Sequence, residues 1–124
     1  MFGKKENQKI EQLKTKAMEA VDKNAPVYIP YIYGLTVKEK EMNDVDGIKL
    51  LGKTIGNTVY LNSRYDHDDI KSTDTLLHEY AHIIRDEIYG LAVDPHDDFF
   101  FRIYEQITGK PQKHRFEDGV KIHE

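Results

Sequence analysis

His78 and His82 stand four residues apart, and Glu79 directly follows the first of them. On a helix, positions i and i+4 lie one above the other on the same face. Two imidazoles so placed can occupy two corners of a tetrahedral Zn²⁺ site. Glu79 is rotated by about 100° from His78, which sets it beside such a metal rather than on it. A carboxylate there is a general base for a metal-polarised water. Leu76, Leu77, Ala81, Ile84 and Ile88 are the apolar residues expected to seat this helix on a core.

A catalytic zinc takes a third protein ligand and keeps its fourth position open. Several residues downstream have the right chemistry. Asp86 follows His82 by one turn, Asp94, Asp97 and Asp98 surround His96, and Glu105 comes later. A closely spaced third histidine would have to stand where the chain has Ile88. His96 is the preferred ligand, because a short loop can fold it back and Asp94-Pro95 is a helix-start signal that puts it in a first turn. His67, in a polar loop, and His114, near the end, read as solvated. Asp74 and Asp86, one turn outside the histidine pair, are candidates to buttress the imidazoles. Tyr104, Tyr65, Tyr89 and Arg85 are unranked candidates to stabilise an oxyanion.

The elements that must position these residues can be read coarsely. Residues Asn7 to Val21 carry Ile10, Leu13, Ala17, Met18 and Val21 at helical spacing. Val27 to Tyr33 is rich in β-branched and aromatic residues, which predicts a strand, with Pro30 marking an edge or bulge and Gly34 its end. Thr36 to Asp46 is charged and is expected to hold a short helical turn. Ile48 to Leu51 and Thr58 to Leu61 read as short strands, with Gly52 and Gly56-Asn57 as turn residues. Asn62 to Lys71 is a polar connection. A long helix is expected from about Thr73 to Gly90, capped by Ser72 or Thr73 with Asp74 in its first turn. A last helix starts at Asp94-Pro95, carries Phe99, Ile103, Tyr104 and Ile107 as its apolar stripe, and stops at Gly109 and Pro111. The order predicts one α+β domain over residues 1–111, followed by a polar tail from Gln112 to Glu124.

Composition narrows the function classes. A chain of 124 residues, 39% of them hydrophobic, is one domain with one modest core. Without cysteine there is no disulfide, thiolate chemistry or Cys-ligated metal. The net charge of −4 argues against a protein held on nucleic acid by bulk electrostatics. The charged amino terminus lacks the apolar run of a signal peptide, and no stretch is long enough to span a membrane. A cytoplasmic protein is the expectation, and its oligomeric state is left open.

Leu76-Leu77-His78-Glu79-Tyr80-Ala81-His82, followed after a loop by His96-Asp97-Asp98-Phe99-Phe100, resembles the SprT-like and related WLM zinc metallopeptidases. Leu51-Gly52 and Gly56-Asn57-Thr58-Val59-Tyr60-Leu61-Asn62 resemble the hairpin that precedes the family's active-site helix. The likeness runs from about Leu50 to Ile107. It differs at Asp97-Asp98, where the family usually has Gly or Gly-Pro, and the family's zinc-ribbon or DNA-binding additions are absent. The resemblance implies a minimal zincin-like core: an N-terminal helix, a small twisted antiparallel or mixed sheet, an active-site helix and a C-terminal helix. It implies Zn²⁺ held by His78, His82 and His96, Glu79 as base, and a peptide or protein substrate, cut by endopeptidase action. Two alternatives carry different chemistry. One is a zincin-scaffold binding or regulatory protein of phage or mobile-element type that holds zinc without proteolysis. The other is a zinc hydrolase of non-peptide amides.

Overall fold

The longest apolar stripe in the chain, Ile10, Leu13, Ala17 and Val21, is buried along a 23-residue helix, α1 (Phe2–Asn24). Its spacing of three and four residues turns one side of the helix inward, against the last two helices of the chain. The structure, a computed structural model, describes residues 2–47, 49–65, 69–91 and 93–110. The readings placed on Ile48, His67, Pro111, His114 and the tail from Gln112 lie outside those residues.

The strand expected over Val27–Tyr33 is instead a 3-10 turn, Pro26–Tyr28, running into a short helix, α2 (Ile29–Ile32). Both elements carry a proline in their first positions. Proline fixes φ at a helical value and removes a ladder donor, which outweighs the β propensity of the neighbouring residues. Ile32 is buried, and the Tyr28 hydroxyl donates to Gln106 Oε1 at 2.5 Å.

The charged stretch after Gly34 forms a strand rather than a helical turn. This is β1 (Thr36–Lys40), in which Val37 alone is buried. Two more strands follow, β2 (Gly52–Ile55) and β3 (Thr58–Asn62). The sheet order is β1-β3-β2, with β1 parallel and β2 antiparallel to β3. The Gly56-Asn57 turn is as expected: Ile55 pairs with Thr58, and Gly56 has φ +60, where a type II′ hairpin turn needs a positive value. The second strand, however, begins at Gly52 instead of ending before it. Leu50 and Leu51 are buried just outside the ladder.

At the end of β3, Asn62 is wholly buried. Its amide donates to the Met42 and Leu50 carbonyls at 2.9 and 2.6 Å and accepts from the Met42 and Arg64 N–H groups at 3.0 and 3.1 Å. One side chain thereby ties both ends of the β1–β2 connection and the start of the β3–α3 connection to the end of β3.

The long helix, α3 (Asp69–Tyr89), begins four residues before the expected Thr73. Ser72 and Thr73 lie within it and do not cap it. Gly90, at φ +82, ends it. The last helix, α4 (Asp98–Thr108), is capped by Asp97, whose side chain accepts from the Phe100 N–H at 2.9 Å. Asp94-Pro95 precedes the cap instead of forming it. The buried stripe of α4 is Phe100, Phe101, Ile103 and Ile107, while Phe99 is exposed. Ile88 is likewise exposed, whereas Leu76, Leu77, Ala81 and Ile84 are buried as expected.

The result is an α+β fold of four α-helices and a three-stranded mixed sheet among the described residues. Helix α3 is its centre, packed against α1, α2, α4, β2 and β3. No helix among the described residues is long and apolar enough to cross a membrane.

Candidate metal centre

Helix α3 presents His78 and His82 toward the start of α4, and the turn before α4 presents His96 back to them. His78 Nε2 lies 3.2 Å from His82 Nε2 and 3.2 Å from His96 Nε2. Candidate ligand atoms of all three residues fall within 4.8 Å of one another. His82 is buried and the other two are half-buried.

These distances fit a shared metal. Zinc–imidazole bonds of about 2.0–2.1 Å at tetrahedral angles place neighbouring nitrogens about 3.3 Å apart. Hydrogen bonding accounts for the cluster less well. A neutral imidazole nitrogen carries either one proton or one lone pair, so His78 Nε2 cannot make a well-directed bond to both neighbours. A cation facing three lone pairs satisfies all of them.

An aromatic floor supports the imidazoles. The Phe100 ring stacks on His82 with centroids 4.3 Å apart and lies 4.9 and 5.1 Å from the rings of His78 and His96. Phe100 is fully buried, so one side of the cluster is sealed from water. Phe100 lies four residues past His96 in sequence, and the Asp97 cap fixes where the helix carrying it begins.

Glu79 has no solvent exposure. Its Oε1 accepts from the Thr54 hydroxyl at 2.9 Å, and Oε2 is equally closed off. The strand reaches Glu79 because Gly52 lets it come close. A Cβ at Gly52 would stand 2.6 Å from Thr75 Cγ2 and 3.7 Å from Glu79 Cγ. Beside the cluster opens a cleft of about 440 Å³, whose lining includes Lys53, Thr54, Glu79, His82, Asp86 and Leu91. Glu79 and His82 thus form part of the wall of a space large enough to admit a ligand.

The other candidates fall into separate roles. His96 lies in the turn ahead of α4 rather than in its first turn, and its N–H donates to Asp94 Oδ1 at 3.0 Å. Asp97 is the α4 cap and the partner of Arg85. Asp74 and Asp98 are exposed, and Glu105 is half-buried on α4. None of these joins the histidine group. Asp86 lines the cleft, and burial raises its pKa against the pull of Arg85, 3.6 Å away.

Of the four oxyanion candidates, Tyr104 alone has a ring packed on a histidine of the cluster, with its centroid 5.6 Å from that of His78. The Tyr65 hydroxyl donates to Asp44, and Tyr89 stacks on Phe99 at 4.2 Å. Arg85 is buried and committed elsewhere. Its Nε and Nη2 bond the Asp97 carboxylate at 3.1 and 2.6 Å, and its Nη1 donates to the Gly90 carbonyl. These bonds hold Asp97 below the usual carboxylate range and raise Arg85 in turn.

Gly52, Thr54 and the Arg85–Asp97 pair are the contributors that the sequence reading did not place. Arg85 follows His82 by three residues, on the same helix face, and Asp97 adjoins His96. That spacing is the available signal.

No protein family matches the chain, and no curated protein or solved structure matches it either.

Proposed function

We propose that the chain is a zinc-dependent peptidase on a minimal zincin-like core. His78, His82 and His96 hold the metal, and Glu79 is the general base. The observation that carries this reading is the convergence of three imidazole nitrogens beside a buried carboxylate on the wall of a cleft. Zinc bound there supplies a Lewis acid that polarises a carbonyl and lowers the pKa of water.

The chain's own residues supply the rest. Glu79 takes a proton from the attacking water and delivers it to the leaving amine. The Thr54 hydroxyl, bonded to Oε1, fixes the plane of that carboxylate. Tyr104, packed on His78, is the side chain best placed to steady a developing oxyanion. Phe100 and the buried face of α3 keep water from the far side of the imidazoles. An extended peptide would add to β2, the terminal strand of the sheet on this side. The neighbouring β3 is central and paired on both edges, so it cannot receive one.

Elemental analysis of protein purified without chelator tests the metal, with about one zinc per chain expected and its loss in His78→Ala. Glu79→Gln should keep the zinc and lower peptide cleavage by about 10²- to 10⁴-fold. A metal-free wild type would refute the metal site, and full activity in Glu79→Gln would remove Glu79 as base.

The complete burial of Glu79 under Thr54 also favours a second reading, a zincin-scaffold binding protein whose carboxylate is structural. Bound zinc without cleavage of any peptide in a library would select it.

A further inference from the structure

We propose that Arg85 is a positioning residue for the third metal ligand, so that α3 holds His96 in place as well as supplying His78 and His82. The inference rests on the metal reading above and extends it to a residue that touches no metal.

Two of the three ligands stand on one rigid helix, where four-residue spacing aligns them. The third stands on a turn, which has no such constraint. Asp97 directly follows His96 in the chain and is anchored in two ways. Arg85 Nε and Nη2 engage both of its oxygens, at 3.2, 3.1 and 2.6 Å. Its Oδ1 also caps α4 through the Phe100 N–H. The same guanidinium donates to the carbonyl of Gly90, the residue at which the chain leaves α3. Arg85 thereby grips both ends of the connection that carries His96.

The grip is stiffened by packing. The guanidinium carbon sits 5.9 Å from the Tyr89 ring centroid and 6.0 Å from that of Phe99, and those rings stack on each other. With Arg85 buried at 6% exposure, few other arrangements are open to it. A planar, forked donor is required, since a lysine can satisfy one acceptor direction but not this set.

The test is zinc affinity, measured by competition with a chromophoric chelator in two backgrounds, with and without His96. Arg85→Met should weaken zinc binding by about 10- to 100-fold, the usual cost of removing a group that orients a ligand. Arg85→Lys should fall between that variant and the wild type. In a His96→Ala background, Arg85→Met should change affinity by less than about twofold, because the ligand it positions is gone.

Should Arg85→Met fail to fold, Asp97→Asn decides the matter. Asparagine keeps the helix cap but loses the charge, and should show the same dependence on His96. Equal losses in both backgrounds would overturn the proposal, since a general structural role predicts them, and so would an unchanged affinity with His96 present. A wild type that binds no zinc would overturn the metal reading itself, a result distinct from either.

Discussion

Thr54 donates to a carboxylate that has no solvent exposure. A buried acceptor deprived of its donor costs about 1–3 kcal/mol, and for Glu79 in its proposed role as general base the larger consequence is lost orientation. Thr54→Val removes the hydroxyl while nearly preserving shape. We expect kcat to fall by about tenfold or more, with KM little changed, and Thr54→Ser to restore most of the rate. Steady-state kinetics on one peptide substrate check this. A change confined to KM would mean that Thr54 touches substrate instead of holding Glu79.

At the scale of elements, the approach of β2 to α3 depends on a missing side chain. A Cβ at Gly52 would meet Thr75 Cγ2 at 2.6 Å, well inside van der Waals contact. Gly52→Ala should therefore cost about 1–3 kcal/mol by overpacking, and by pushing β2 outward it should also slow cleavage through the Thr54–Glu79 bond. Adding Thr75→Ser removes the obstructing methyl and should recover much of both losses. Denaturant unfolding and cleavage rates of the single and double variants measure the coupling. Additive losses would show that the clash is elsewhere.

This contact explains why some elements were legible and others were not. The histidine pair and Glu79 could be read because their relation is local, set by helical periodicity alone. The stripe of α1 and the Gly56-Asn57 turn were legible for the same reason. Gly52 reads as a turn residue in the sequence, because its role as clearance depends on Thr75, on another element. β1 buries only Val37, too little alternation to outweigh its charges. Val27–Tyr33 has strand-forming side chains, but Pro26 and Pro30 decide its backbone. The Arg85–Asp97 pair joins residues 12 apart across a turn, and no single-element pattern shows it.

At the scale of the whole molecule, a metal held as proposed between α3 and the turn before α4 would link folding to metal binding. Zinc at 100 times its Kd should raise stability by about 2.7 kcal/mol. Chelation should lower the melting temperature accordingly, and His96→Ala should shrink that difference. A melting temperature indifferent to chelator would contradict the link.

A second long-range tie, away from the metal, fastens the segment between β1 and β2. The Tyr65 hydroxyl donates to Asp44 Oδ1, which also accepts from the Leu50 N–H at 3.4 Å. The hydroxyl holds Asp44 below its ordinary value of 3.8, helped by the Leu50 amide, Arg64 and Lys49. The same bond raises Tyr65 above its ordinary 10.0. A depressed carboxylate adds stability that is present above its unfolded pKa and lost as pH falls through the folded one. A raised phenol adds stability that is present below its unfolded pKa and lost as pH rises through the folded one. Tyr65→Phe should therefore be less stable than wild type across the neutral range. The gap should narrow as pH falls from about 4, the value of the unfolded carboxylate, through the lower folded value of Asp44, and again as pH rises from about 10, the value of the unfolded phenol, through the raised folded value of Tyr65. Urea unfolding of both proteins across pH, with chelator present so that metal release does not contribute, measures the gap. A difference that stays constant from acid to neutral pH would mean that Tyr65 stabilises the chain by packing, and that its bond to Asp44 adds nothing.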